Sequence, residues 1–175
     1  MKIGIISDSH KKINLLREAI ERLENDGAEY IVHAGDIVLK ESLDLLQNCN
    51  IPYKAVIGNN DSQLLEYLND YNLVQEPHYF KIKDISVKLM HLPYYLNNDS
   101  SLIIYGHTHH FEAKENQNTL YINPGEICGR KKSISEFVMV EAKTNKWKVR
   151  HYQKDILKDM ANYCIKTVEF QKGKK

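Results

Sequence analysis

Aspartate, histidine and asparagine recur in this chain directly after short apolar runs. Asp8 and His10 follow residues 2–7, and Asp36 follows residues 29–33 by way of Gly35. Asn59, Asn60 and Asp61 follow residues 52–57 and Gly58. His91 closes residues 86–90, and His107 and His109 follow residues 102–105 and Gly106. These side chains are the oxygen and nitrogen donors that divalent transition metals accept, with no thiolate among them. Taken singly, each has an ordinary explanation. Asp8-Ser9-His10 reads as a capped turn, Gly35-Asp36 as a turn, and Asp61 as the N-cap of a helix beginning at Ser62. His107-Thr108-His109 is harder to explain that way, because i, i+2 spacing in an extended segment puts both rings on one face. Five strands delivering such groups to one edge point to a site, since ligands of open α/β sheets gather at strand carboxyl ends.

The elements that must position these residues are legible from periodicity. Residues 2–7 form an isoleucine-rich run suited to a strand buried on both faces. Residues 12–25 place Ile13, Leu16, Ile20 and Leu23 on one helical face, and Gly27 ends the helix. Residues 29–33 and 52–57 read as strands around a helix over 40–48, which carries Leu43, Leu45 and Leu46. Residues 80–83 and 86–90 read as a hairpin, and residues 120–122 as a strand running into Asn123-Pro124-Gly125. A second hairpin pairs 137–141 with 147–151. A last helix is expected over 153–168, with Ile156, Met160, Tyr163 and Thr167 on one stripe. Parallel strands come first and antiparallel strands later, an order that suits an α/β sandwich of two sheets flanked by helices.

The 175 residues suit one domain spanning 1–175, and 42% hydrophobic with 27% charged residues is an ordinary globular mix. A net charge of +1 gives no global attraction for nucleic acid or membrane surfaces. The basic end at Lys172, Lys174 and Lys175 reads as a solvated terminus. Cys49, Cys128 and Cys164 are odd in number and widely spaced, which argues for reduced thiols and a cytoplasmic protein. No apolar run reaches membrane-spanning length. The stripe over 153–168 can pack on its own sheet or on a second copy, so a homo-oligomer stays open.

In their order, Asp8-Ser9-His10, Gly35-Asp36, Gly58-Asn59-Asn60-Asp61, His91 and Gly106-His107-Thr108-His109 resemble the five motifs of the calcineurin-like metallophosphoesterases. They resemble most the small single-domain branch typified by the bacterial phosphodiesterase YfcE. His33 and the Asn-Pro-Gly turn match that branch too, so the resemblance runs from Lys2 to about Gly125. It implies a four-layer α-β-β-α sandwich of two mixed sheets. It also implies two divalent transition-metal ions, manganese first, with iron, nickel or zinc as alternatives. Asp8, His10, Asp36 and His109 would hold one ion, and Asp36, Asn59, His91 and His107 the other. The implied reaction is hydrolysis of a phosphate ester by in-line attack of a hydroxide bridging both ions, with Asp36, Asn59, Asn60 and Asp61 in the catalytic group.

The chain departs from that pattern in four places. Asn60 stands where relatives carry histidine or cysteine, and it cannot deliver a proton at neutral pH. His91-Leu92-Pro93 replaces a His-Gly-His motif. The stretch from His91 to His107 is short for an intervening helix, which implies a more open pocket, with Tyr94 and Tyr95 either lining it or packing under the loop. Glu126 replaces the usual serine after Asn-Pro-Gly, and Arg130, Lys131 and Lys132 follow as a solvated or phosphate-facing run. These departures leave a second reading, a protein-interaction scaffold on the same fold, with a protein partner in place of a substrate. A nuclease fits less well, because no basic stripe with interleaved aromatics is present.

Overall fold

The computed structural model describes residues 1–158 and 162–172. In chain order its first half comprises β1 (Lys2–Ile6), α1 (Ile13–Asn25), β2 (Tyr30–His33), α2 (Lys40–Asn48), β3 (Tyr53–Val56), a 3-10 turn (Ser62–Tyr67) and β4 (Leu73–Val74). The second half comprises β5 (His78–Ile82), β6 (Ile85–Leu89), β7 (Leu102–Ile104), β8 (Phe111–Asn116), β9 (Thr119–Pro124), β10 (Ile134–Ala142), β11 (Lys146–Asp155) and β12 (Cys164–Gln171).

Two mixed sheets result. The larger runs β12-β11-β10-β1-β2-β3-β4, parallel from β1 to β4 and antiparallel on the other side. The smaller runs β5-β6-β7-β9-β8, with β6, β7 and β9 parallel. Strand alternation divides the larger sheet's apolar residues between two cores. Ile3, Ile5, Val32 and Val56 meet Leu89, Leu102, Ile104 and Ile122 of the smaller sheet. On the opposite face Ile6, Ile31, Ala55 and Phe137 pack under Leu16, Leu23, Leu43 and Leu46 of α1 and α2.

This is the α/β sandwich of two mixed sheets that the sequence implies, with one layer rebuilt. The outer face of the smaller sheet carries a loop over residues 91–101 in place of a helix. Met90, Ile103, Tyr105 and Tyr121 form a small core there with Leu96. The loop is tied down by Lys88, whose buried ammonium donates to Asn97 at 2.6 Å and Asp99 at 2.9 Å. Tyr94 and Tyr95 stay exposed on its surface.

The expected helix over 153–168 is not formed. Residues up to Asp155 extend β11, and Cys164–Gln171 pair with it antiparallel through eight positions; Met160 lies outside the described residues. The stripe of period 3.6 competed with a denser β signal, since Ile165, Thr167, Val168 and Phe170 are β-branched or aromatic. Cross-strand neighbours Val149–Val168 and Trp147–Phe170 realise that signal. The chain beyond β12 begins with Lys172, whose ammonium lies 4.1 Å from the Trp147 ring centroid, while Lys174 and Lys175 fall outside the described residues. Among the described residues no helix is long and apolar enough to cross a membrane.

Candidate metal centre

The carboxyl ends of β1, β2 and β3 meet those of β6 and β7 across the sandwich, and the donor residues converge at that junction. The chain segments approach so closely there that glycine is required. A Cβ on Gly106 would sit 2.1 Å from Ser7 Oγ and 2.6 Å from the Ala34 carbonyl oxygen. Gly35 has φ +87°, and a Cβ there would enter the His91 ring. Asp8, His10, Asp36, His107 and His109 all have positive φ, between 44° and 67°. For residues with a Cβ this costs about 1–2 kcal/mol each. Strain of this kind persists where surrounding structure imposes it, and it concentrates at functional sites.

His107 and His109 therefore do not share a face of an extended segment. The turn sends them apart. His107 Nδ1 lies 3.0 Å from Asn59 Oδ1, with its ring edge-on to His91. His109 Nε2 lies 3.3 Å from Asp8 Oδ1, with its ring stacked on His10. Asn123 fixes the turn by donating from Nδ2 to the Gly106 carbonyl oxygen and to Thr108 Oγ1.

The seven expected donors form two halves joined by Asp36. In one half, donor atoms of Asp8, His10, Asp36 and His109 all lie within 4.8 Å of one another. In the other, His91 Nε2 is 3.0 Å from Asn59 Oδ1 and 3.4 Å from Asp36 Oδ1. The second Asp36 oxygen faces His10 Nε2 at 3.6 Å. Asn60 donates to both Asp36 oxygens, from its backbone N–H at 3.0 Å and from Nδ2 at 2.7 Å. Burial pushes the Asp36 carboxyl up, but His91 and the Asn60 hydrogen bonds prevail and hold it below its usual value.

Hydrogen bonding behind the histidines tests whether metal fits. His91 Nδ1 lies 2.8 Å from the Ala34 carbonyl oxygen, which can only accept, so Nδ1 carries the proton. His91 Nε2 is then the nitrogen that faces the oxygens of Asn59 and Asp36. His109 repeats the arrangement. Its Nδ1 lies 2.5 Å from the Glu126 carboxylate, which leaves Nε2 facing Asp8 Oδ1 at 3.3 Å. Asp8 Oδ1 and His10 Nε2 are buried and have no hydrogen-bond partner among the described residues. A cation among Asp8, His10, Asp36 and His109 would satisfy these buried atoms, so the residues of this half fit a metal ion. Cys128 approaches His10 and His109 as well, but burial pushes its thiol up to about 12 and it stays a neutral donor to Glu126.

Two residues have roles that the motifs do not reveal. Asp61, expected in the catalytic group, turns both carboxylate oxygens to backbone, accepting from Val38 N–H at 2.7 Å and Gly58 N–H at 2.8 Å. It braces the Asp36 and Asn59 loops together, and its side chain does not cap the following turn. Glu126 is fully buried and accepts from His109, from the Lys131 and Lys132 N–H groups and from the Cys128 thiol. Burial opposes its charge, but those donors hold it ionised with a pKa of about 2. The only sequence signal for this role was a carboxylate placed directly after Asn-Pro-Gly. Glu126→Gln is expected to weaken manganese binding by about 10–100-fold, measured by calorimetry, because the proton on His109 Nδ1 loses its anionic acceptor. Unchanged affinity would contradict the role.

His33 supports the centre from beneath, with Nε2 3.0 Å from Ser9 Oγ. Burial, aided by repulsion from His91, lowers its pKa from 6.5 to about 3. The folded state thus keeps His33 neutral while the unfolded chain takes up a proton. Stability should fall as pH drops below 6.5, by about 1.4 kcal/mol per pH unit from this residue. Urea titrations of metal-free wild type and His33→Asn at pH 7, 6 and 5 measure the difference; equal slopes would contradict it.

With fold and site in place, comparison defines the class. Residues 1–145 match the calcineurin-like phosphoesterase superfamily domain, and the chain belongs to that superfamily. It is a phosphoesterase by family, of the metal-dependent kind. Phosphodiesterase MJ0936 of Methanocaldococcus jannaschii is 33% identical over 142 residues, covering 74% of this chain and 86% of the relative. The solved structure of an archaeal phosphodiesterase superposes with a TM-score of 0.75 at 28% identity, over 88% of this chain and all of the other. Vacuolar protein sorting 29 of Cryptosporidium parvum superposes with a TM-score of 0.78 over 98% of both chains, at 20% identity, a likeness of fold alone.

Proposed function

We propose that this protein is a phosphodiesterase working through two divalent transition-metal ions, with manganese the first choice and iron, nickel or zinc as alternatives. The observation that carries the reading is the pair of acceptor clusters joined by one carboxylate. His109 and Asp8 face each other on one side, His91 and Asn59 on the other, and Asp36 turns one oxygen to each half. When bound, such ions lower the pKa of water and screen charge on phosphoryl oxygens. The chain's own residues supply the rest. Ala34 and Glu126 fix the tautomers of His91 and His109, Asp61 holds the two loops in register, and Asn60 offers a hydrogen bond beside Asp36. Asn60 cannot transfer a proton, so the reading favours esters whose leaving group departs unprotonated.

The scaffold alternative shares the fold but does not explain seven converging donors, which a surface for protein partners does not need. The odd, widely spaced cysteines support a reducing compartment, the cytoplasm, as its location. Metal-stripped protein assayed on bis(p-nitrophenyl) phosphate tests the function. Turnover restored by manganese supports it; no turnover with manganese, nickel, iron or zinc shifts the weight to the scaffold.

A further inference from the structure

Beside the centre lies a cavity of about 670 Å³, lined by His10 and Asn60 on the metal side and by Val38, Ile156, Lys11, Lys12 and Arg130 beyond. That volume is in the range of sites for nucleotide-sized ligands. Its chemistry is divided. Val38 and Ile156 give an apolar surface, and three cations surround it. Lys11, Lys12 and Arg130 are exposed, and none forms an ion pair among the described residues. Cations that converge on a cavity suit an anionic ligand, and arginine pairs with phosphate through two parallel hydrogen bonds. Asn60 lines this cavity and donates to Asp36 at 2.7 Å, so it joins the cavity to the metal side.

We infer that the cavity receives the leaving group of a diphosphate esterified at both ends, with Lys11, Lys12 and Arg130 around the departing phosphate and Val38 and Ile156 against its organic part. This rests on the phosphodiesterase reading and names its substrate class. Each phosphorus of such a diphosphate carries two substituents, as in a phosphodiester. Water adds its oxygen to one phosphorus, the bridging P–O bond breaks, and the electron pair leaves on the second phosphate. The products are two monophosphates, and the protons of water end on them or in solvent according to pH. A departing phosphate monoester has a second pKa of about 6, so it leaves as an anion without a general acid. An Asn60 that cannot deliver a proton and cations around the cavity thus serve one kind of bond.

The test compares diadenosine diphosphate with bis(p-nitrophenyl) phosphate on manganese-loaded wild type and on Lys11→Ala/Arg130→Ala, two exposed positions. Wild type is expected to release AMP, with kcat/KM on diadenosine diphosphate at least tenfold above that on the aryl ester. In the double variant that ratio should fall tenfold or more. Turnover of the aryl ester with no cleavage of diadenosine diphosphate, or a ratio that the variant leaves unchanged, would overturn the inference. No turnover of either substrate would overturn the phosphodiesterase reading itself. The cavity is then judged by AMP binding, where a tenfold loss in the double variant supports an anion site and equal affinity refutes it.

Discussion

Asp36→Asn is expected to lower kcat/KM on bis(p-nitrophenyl) phosphate by about a thousandfold or more, close to the limit of detection. Asp36 faces both halves, with Oδ1 toward His91 and Oδ2 toward His10. An amide at that position offers one weak acceptor where two anionic oxygens stood. Losing several kcal/mol of charge stabilisation corresponds to roughly three orders of magnitude in rate. Asparagine is the right replacement because Asp36 has φ +55°, a conformation asparagine tolerates and alanine resists. The variant should also relieve repulsion with Asp8, whose carboxyl burial already pushes up and the Asp36 charge pushes further. Because His91 and the Asn60 hydrogen bonds outweigh that repulsion and hold the Asp36 carboxyl below its usual value, the metal-free melting temperature should fall modestly while the protein stays folded. A variant that keeps wild-type turnover, or that loses activity only through unfolding, would contradict the role.

Asn60→His should gain activity selectively. The side chain lies 2.7 Å from Asp36 Oδ2, beside the cavity, so an imidazole there can reach a departing oxygen. A positioned general acid contributes about 10²–10⁴-fold, and most where the leaving group is basic. Hydrolysis of an alkyl phosphodiester is therefore expected to rise by about a hundredfold, while that of the p-nitrophenyl ester changes little. Equal effects on the two substrates, or none on the alkyl ester, would show that Asn60 does not occupy the acid position.

Much of this architecture was legible because it rests on local patterns. Ile3, Ile5 and Ile6 announced a strand buried on both faces, and Gly27 ended α1 with φ +80° as expected. The donors could be read because each follows a strand, and strand ends are where the topology brings chemistry together. What could not be read depends on contacts distant in sequence. Phe111–Asn116 is an edge strand whose alternating exposure is masked by its charged residues, and β12 is defined by the strand it pairs with more than by its own periodicity. The opposed directions of His107 and His109 follow from backbone forced by the crowded approach at Gly106. Glu126 looked like a departure from a family pattern, and its purpose emerges only from the position of His109 seventeen residues earlier. Asp61 shows the reverse case, a motif residue whose carboxylate serves the loops.

The central claim is that two ions share Asp36, and it can be tested without any substrate. Metal-stripped protein titrated with manganese should bind two ions per chain by calorimetry. Paramagnetic resonance should show the exchange-coupled signal of ions about 3.5–4 Å apart, and that signal should be lost in Asp36→Asn. A single bound ion with the spectrum of isolated manganese, or a coupled pair that survives the substitution, would contradict the account.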